Sequence, residues 1–96
     1  MQQYVIIAQD GRDEEAPERR KAIRPLHLEG ARKLKANGQF VIGGATLNEH
    51  GGMTGSVMIL QFETEAQFKE WYSNEPYITQ GVWKAIEIKH FRGADV

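Results

Sequence analysis

Short apolar runs and stretches of helix-forming residues alternate along the chain, and this pattern predicts its first two elements. Residues 4–8 form a β-branched apolar run that ends in a Gln-Asp-Gly turn sequence, which predicts a first strand. Helix-forming residues extend from about Pro17 to Asn37, where an Asn-Gly pair is typical of a helix C-terminus. Pro25 interrupts this stretch, so the helix either kinks there or restarts, and its main part is then expected over residues 25–37.

The rest of the chain predicts a hairpin, a second helix and a last strand. Residues 39–45 and 56–63 have the composition of strands and are joined by a polar, glycine-rich segment. Thr64 caps a helix that is expected to run to about Asn74, and alternating positions over residues 82–91 indicate a final strand. The order β-α-β-β-α-β predicts the ferredoxin-like α+β fold, in which two helices pack on one face of a four-stranded antiparallel sheet.

The pattern also bears on the other face of that sheet. The first strand, Tyr4–Ala8, and the third, around Val57–Leu60, are apolar on both sides, whereas two helices cover only one side. A homodimer that packs sheet on sheet covers the second face, because a monomer would expose a larger apolar patch than soluble monomers usually tolerate. The alternative is a monomer in which Met58 and its neighbours are lightly exposed.

Length, composition and charge narrow the classes of protein. The 96 residues contain no internal repeat or linker, so they predict a single domain over residues 1–96. Twelve Lys and Arg residues against 13 Asp and Glu residues give a net charge of −1 without an evident basic stripe, which argues against nucleic acid as a partner. The absence of cysteine excludes disulfides and thiolate zinc sites and is compatible with a cytoplasmic location. No signal peptide or membrane span is indicated, so no membrane partner is expected.

Residues capable of chemistry gather at one end of the predicted sheet. The alternating directions of strands and helices bring together the end of strand one, the end of strand two, the start of strand three and the segment after helix two. The residues at that end are Asp10, Arg24, His27, residues 43–46, Ser56 and Glu75–Tyr77. The helical phase turns His27 towards the sheet, where an imidazole needs a polar partner.

Two roles are open for this inward histidine. In the functional hypothesis His27 is a general acid/base oriented by a carboxylate, because an imidazole titrates near neutral pH. In the alternative it is a structural histidine whose ring is satisfied by a backbone carbonyl or by Glu75. His50 and His90 are expected to be solvated or structural. No pair of histidines has the spacing of a metal site and no cofactor motif is present, so neither a metal nor a cofactor is expected.

Arg24 and Ser56 are candidates for substrate binding. Arg24 can clamp an anionic group with its guanidinium, and its alternative role is a surface ion pair with Glu14, Glu15 or Glu18. Ser56 lacks the strand-to-helix elbow of a nucleophilic serine, so it is interpreted as a hydrogen-bond donor at the start of a strand. The glycine-rich segment before it leads into a strand rather than a helix, which excludes a phosphate-binding loop.

Four short motifs resemble those of one family in order and spacing. They are Tyr-Val-Ile-x-Ala-Gln-Asp at Tyr4–Asp10, Arg-Pro-Leu-His-Leu at Arg24–Leu28, Thr-Gly-Ser at Thr54–Ser56, and Pro76-Tyr77 followed by Gly81-Val82. Together they resemble the YciI-like (YCII-related domain) family nearly from end to end. The resemblance implies a ferredoxin-like fold, a dimeric α+β barrel and a histidine–aspartate active site, and one relative in that family is a dehydrochlorinase of a chlorinated hydroxyhydroquinone.

The resemblance also assigns the two members of that active site. The family histidine falls on His27, and the family's Asp-Pro-Tyr motif falls on Glu75-Pro76-Tyr77. Glu75 keeps the charge of the aspartate but adds a methylene, so Asp10 is the alternative partner of His27.

Two functions follow from these residues and the resemblance. The first is a cofactor-free enzyme that transfers a proton or eliminates a group from a small oxygenated molecule, aromatic or chlorinated by resemblance, with His27 moving the proton and Glu75 orienting it. The second is a dimeric module that binds a small ligand or a partner protein without chemistry. The residues assigned to substrate binding are Arg24, Ser56, Tyr77 and Asp10.

Overall fold

Seven elements follow one another in the computed structural model, which describes residues 1–96. They are β1 (Gln2–Asp10), α1 (Ala16–Ala36), β2 (Phe40–Leu47), β3 (Met53–Phe62), α2 (Glu65–Asn74), α3 (Pro76–Thr79) and β4 (Trp83–Phe91). The strands form one antiparallel sheet in the order β2-β3-β1-β4. The predicted ferredoxin-like α+β fold is therefore confirmed. No helix has both the length and the apolar character that crossing a membrane requires.

The two faces of the sheet differ in what covers them. Ile6 of β1 pairs with Met58 of β3, and both side chains are buried beneath the helices. The next residues, Ile7 and Val57, also pair with each other, but they point away from the helices and remain 37% and 36% exposed. The sequence pattern correctly indicated strands that are apolar on both sides.

Helix α1 is continuous from Ala16 to Ala36, so the expectation that its main part begins at Pro25 is wrong. Pro25 lies on the exposed side of the helix, where the missing N–H removes one hydrogen bond without disturbing the packed side. The packed side is held by Arg20, His27 and Leu34, which are seven residues apart and share one face. The earlier start adds more than two turns to the predicted helix.

The β2–β3 hairpin is longer than the sequence predicts. Strand pairing continues to Leu47 and Met53 instead of ending at Ala45 and Ser56. The reason is the side chain of Asn48, whose Oδ1 accepts hydrogen bonds of 2.9 Å from two backbone N–H groups of the turn. A compact turn therefore replaces the long loop that the glycine content suggested.

Helix α3 is a single turn that the sequence did not predict. Thr64 caps α2, as expected, and α2 ends at Asn74. Glu75 then caps α3 with its own side chain, because its Oε1 accepts a hydrogen bond of 3.1 Å from the backbone N–H of Tyr77. Pro76 at the first position of α3 presets the helical φ angle. This turn fixes the direction of the Glu75 carboxylate.

Candidate active site

Helix α1 directs two polar side chains at the upper end of the sheet, where β1 ends and β4 begins. Arg20 and His27 are two helical turns apart, which is about 10 Å along the axis. Both are buried, although long polar side chains are usually exposed. Each has a carboxylate partner from a different part of the chain, so the upper end contains two buried ion-pairing groups side by side.

His27 lies against Glu75. Nδ1 of the ring is 2.6 Å from Oε1 of the carboxylate, and the two side chains are only 11% and 3% exposed. A neutral imidazole that donates its Nδ1 proton to Glu75 leaves Nε2 as the basic nitrogen. Nε2 has no hydrogen-bond partner and is not among the fully enclosed polar atoms, so it keeps contact with solvent. The geometry therefore fixes one ring nitrogen and leaves the other free to react.

Aromatic rings hold the imidazole in this orientation. The ring of Tyr77 stacks on His27 with centroids 4.0 Å apart and an interplanar angle of 12°. Trp83 meets the imidazole edge-on at 6.0 Å. Rotation of the His27 ring would disrupt both contacts as well as the hydrogen bond to Glu75.

Arg20 forms the second buried pair, with Asp10. Its Nη1 donates to both carboxylate oxygens at 2.9 and 3.0 Å, and its Nη2 donates to Oγ of Ser56 at 2.9 Å. Oγ of Ser56 also accepts a hydrogen bond of 3.2 Å from the indole of Trp83. Asp10 is thus engaged with Arg20 and is not the partner of His27, which corrects the alternative drawn from the sequence.

Arg20 was not predicted as a site residue from the sequence. It could have been found from its position seven residues before His27, because this spacing puts the two side chains on one face of a helix. This spacing is informative only if the helix begins before Arg20. A helix that begins at Pro25 does not include Arg20.

Tyr77 lies between the two pairs. Its ring stacks on His27, and the guanidinium carbon of Arg20 is 4.8 Å from the ring centroid. Burial raises the pKa of Tyr77, although the positive charges of Arg20 and Arg24 oppose this, so the hydroxyl stays protonated at neutral pH. The buried hydroxyl has no hydrogen-bond partner in the protein, and such a group costs about 1–3 kcal/mol of stability.

Arg24 is not part of this cluster. It is exposed on α1 and forms none of the expected ion pairs with Glu14, Glu15 or Glu18. It lines a shallow recess of about 310 Å³ on the outer side of the helix, together with Lys21, Pro25, Leu28 and Arg32. The recess brings together three basic residues, Lys21, Arg24 and Arg32.

A cleft lies between the β1–α1 loop and the β2–β3 hairpin. Its volume is about 610 Å³, which is within the range of small-molecule sites. Its polar lining includes Gln9, Asp10, Arg12, Thr46, Asn48 and Thr54. Arg20, His27, Glu75 and Tyr77 do not line it, so Asp10 is the member of the two buried pairs that faces the cleft.

Other candidates for metal or acid–base chemistry lie apart from this site. No group of three His, Cys, Asp or Glu side chains has the arrangement of a metal site. His50 is exposed in the hairpin beside Glu49, and His90 is exposed near the end of β4, where its ring lies 5.1 Å from that of Tyr4. The chemistry of the upper end is therefore that of His27, Arg20 and their carboxylates.

Sequence comparison relates the chain to one domain family. The model of the YCII-related domain matches residues 2–92. Protein YciI of Escherichia coli is 34% identical over 95 residues, which cover 93% of this chain and 95% of that protein. A protein of Haemophilus influenzae is 35% identical over 95 residues, with the same coverage of both chains.

Comparison with solved structures finds the same fold. The 5-chloro-2-hydroxyhydroquinone dehydrochlorinase TftG of Burkholderia phenoliruptrix AC1100, solved with 2,5-dihydroxybenzoquinone, has a TM-score of 0.80 at 23% identity, covering 96% of this chain and 95% of its own. A dimeric ferredoxin-like protein of Jannaschia sp. CCS1 has a TM-score of 0.58 at 10% identity, covering 97% and 100%.

Proposed function

The chain belongs to the YCII-related domain family, and from this we propose that it is a cofactor-free enzyme in which His27 moves a proton to or from a small oxygenated molecule. The observation that carries the proposal is the asymmetry of the imidazole. Nδ1 is held by Glu75 at 2.6 Å while Nε2 is free, which is the arrangement that a general base requires.

The roles of the two residues follow from their contacts. Glu75 accepts the Nδ1 proton, selects the tautomer and stabilises the imidazolium that forms when Nε2 takes a proton from the substrate. In an elimination, the electron pair left by that proton forms a double bond and the leaving group departs with its own bonding pair. The fold shared with a dehydrochlorinase solved with 2,5-dihydroxybenzoquinone supports a small cyclic, oxygenated substrate and an elimination of this kind.

The substrate path in this proposal begins at the cleft beside Asp10. Thr46, Asn48 and Thr54 provide hydrogen-bonding groups around the cleft, and Asp10 at its wall leads to Arg20 and from there to Tyr77 and His27. Because the His27–Glu75 pair is nearly closed to solvent, the substrate reaches Nε2 after a local opening of the upper end.

We also propose that the protein is a homodimer joined through the open face of the sheet. The aliphatic side chains of that face, among them Ile7, Ile42 and Val57, are more than a third exposed in the single chain. A structural relative described as a dimeric ferredoxin-like protein supports this arrangement. The dimer would close two four-stranded sheets into one barrel-like core.

The catalytic proposal is tested by turnover of phenolic, lactone and haloaromatic compounds. Once a substrate is found, His27→Gln is expected to lower kcat by about 10²- to 10⁴-fold, because the base is lost, and Glu75→Gln by a smaller factor. His50→Gln is the matched control because His50 is exposed and outside the cluster. Binding without turnover of any of these compounds would instead identify a binding module.

A second readout needs no substrate. In ¹⁵N spectra the neutral ring of His27 is expected to have its proton on Nδ1, and Glu75→Gln should redistribute it between the two nitrogens because the amide can donate as well as accept. A wild-type ring with its proton on Nε2 would contradict the proposed role of Nε2 as the base.

A further inference from the structure

Two buried donors beside the His27–Glu75 pair have no acceptor in the protein. They are the Nε–H of Arg20 and the O–H of Tyr77. We propose that these two groups form an oxyanion site, so that the substrate is bound through an oxygen that carries negative charge or gains it in the reaction, as in a phenolate, an enolate or a carboxylate. This inference rests on the proposed function, because it names the class of molecule on which His27 acts.

The contacts of Arg20 leave one guanidinium nitrogen without a partner. Nη1 is occupied by Asp10 and Nη2 donates to Ser56, so both ends of the guanidinium are fixed and Nε is the buried nitrogen whose N–H has no acceptor. The side chain is only 6% exposed, and Asp10 prevents it from turning. A donor held in place before the ligand arrives stabilises charge without reorganisation.

The contacts of Tyr77 lead to the same conclusion. The residue is fully buried, and its ring is confined by His27 at 4.0 Å and by the guanidinium of Arg20 at 4.8 Å. Burial raises the pKa of Tyr77, so the hydroxyl keeps its proton and can donate it in a hydrogen bond. Only one other buried side-chain nitrogen or oxygen in the chain lacks a partner, Nε of Arg19, whose side chain pairs with Asp13 at the start of α1.

The oxyanion site stabilises the negative charge that develops on the substrate during proton transfer. When Nε2 of His27 removes a proton from a carbon next to a carbonyl, the electron pair moves onto the carbonyl oxygen. That oxygen becomes the oxyanion, and it accepts hydrogen bonds from Arg20 and Tyr77. In an elimination the pair then returns from the oxygen to form the new double bond as the leaving group departs with its own bonding pair. The proton stays on the imidazolium, whose charge is balanced by Glu75. The two pairs of the upper end then act on opposite ends of one small molecule.

The experiment compares three probes of similar shape. 4-Nitrophenol offers a phenolate, 4-nitrobenzoate a carboxylate, and 4-nitroanisole is the uncharged control; ionisation of bound 4-nitrophenol is visible in its absorbance. At least one of the two oxyanions is expected to bind about tenfold or more tightly than 4-nitroanisole. If 4-nitrophenol binds more tightly, it should bind as the phenolate, and the result indicates a phenol-type or enol-type substrate. If 4-nitrobenzoate binds more tightly, the result indicates a carboxylic acid. Equal affinity for all three probes, or no binding of either oxyanion, would overturn the inference.

Tyr77→Phe tests the hydroxyl. The expected result is a loss of about tenfold or more in affinity for the preferred oxyanion, with a thermal midpoint that is unchanged or higher because an unpartnered buried hydroxyl has been removed. Tyr72→Phe, outside the cluster, is the matched control. A lower midpoint with unchanged oxyanion affinity would show that the hydroxyl is structural.

Arg20 is tested in a variant that leaves no unpaired charge in the core. Arg20→Met alone leaves the Asp10 carboxylate unpaired, so the variant to use is Arg20→Met combined with Asp10→Asn, and Asp10→Asn alone is its control. The double variant should lose more oxyanion affinity than Asp10→Asn, because the guanidinium that donates to the oxyanion is still present in the control. His27→Gln separates this inference from the proposed function: it should retain oxyanion binding while abolishing turnover. Retained turnover in His27→Gln refutes the proposed base, whereas unchanged oxyanion affinity in Tyr77→Phe and the double variant refutes the oxyanion site.

Discussion

The two faces of the sheet carry similar apolar side chains but lie in different environments. Met58 and Val57 are neighbours in β3, yet one is enclosed by the helices and the other is left open. Beneath the helices, aliphatic and aromatic packing surrounds the Arg20–Asp10 and His27–Glu75 pairs. The difference shows what the helices contribute to the covered face: they exclude water, and paired charged groups interact more strongly in an environment of low dielectric constant.

The open face has the composition of an interface rather than of a site. Its centre is aliphatic, and its margins carry polar side chains such as Gln3, Gln9 and Glu87. An apolar centre with a polar rim is typical of surfaces that bind another protein. No buried charge lies on this face, so the proposed chemistry and the proposed dimer interface fall on opposite faces of the sheet.

The largest effect is expected when the same substitution is made on each of the two faces. Met58→Asp puts an unpaired carboxylate in the core, at a cost of several kcal/mol, which is close to the total stability of a small domain. The chain is expected to be unfolded by circular dichroism. Val57→Asp puts the same charge on the open face and is expected to give a folded monomer.

Light scattering distinguishes the outcomes for Val57→Asp. The wild-type protein should have twice the chain mass of 10.9 kDa, and the variant should have the chain mass itself. Val57→Ala is the control that shortens the side chain without adding charge. A wild-type monomer at micromolar concentration would contradict the proposed dimer.

Most of the fold could be predicted from sequence periodicity, but the faces could not be assigned. Alternating apolar residues identified the strands, and their order identified the ferredoxin-like arrangement. Which of Val57 and Met58 points outward depends on the pairing of Ile7 with Val57, fifty residues apart in sequence. Such a register is fixed by long-range contacts, and a shift of one residue would exchange the two faces.

The site could be predicted in part, and the missing part has one physical origin. Family resemblance indicated His27 and Glu75, but it did not indicate Arg20, which is one of many charged residues between Asp10 and Arg24. Because Pro25 is a helix breaker in most contexts, the sequence favoured a helix beginning there, and this removed Arg20 from the phase of His27. Helix α3 was missed because four residues are too few to show periodicity.

The next comparison contrasts a buried ion pair with an exposed one. Arg20→Met leaves Asp10 unpaired under the helices and is expected to lower the free energy of unfolding by about 3–5 kcal/mol. Arg19→Met breaks the Arg19–Asp13 pair, which is partly exposed and joins the first turn of α1 to the β1–α1 loop, and this is expected to lower the free energy of unfolding far less. Urea unfolding of both variants measures the difference.

A double variant separates the charge of Asp10 from the packing of Arg20. Arg20→Met with Asp10→Asn removes both charges and should recover most of the stability lost in Arg20→Met, because no unpaired carboxylate remains. If the double variant is as unstable as Arg20→Met, packing of the guanidinium rather than its charge maintains the covered face.

The smallest effect is expected from alkaline pH, which acts on the phenols of the covered face. Burial raises the pKa of Tyr4 above its ordinary value of 10.0, with a further contribution from Glu65, and burial likewise raises the pKa of Tyr77. Below about pH 10 these phenols are protonated in both the folded and the unfolded chain, so their contribution to stability is constant. Above that pH the unfolded chain loses phenolic protons that the folded chain retains, and the free energy of unfolding must fall until the folded phenols ionise as well.

Urea unfolding at a series of pH values from about 9 to 11 measures this decline, and Tyr77→Phe isolates one of its sources. Lysines also titrate in this range, but they are the same in both proteins, so their contribution cancels in the difference. The variant should lose stability with pH less steeply than the wild type, and Tyr72→Phe, whose residue is only partly buried, should not change the slope as much. Equal slopes for wild type and Tyr77→Phe would mean that the Tyr77 phenol is as accessible to base in the folded chain as in the unfolded one. Tyr77 would then lie outside the dry environment that distinguishes the covered face from the open one.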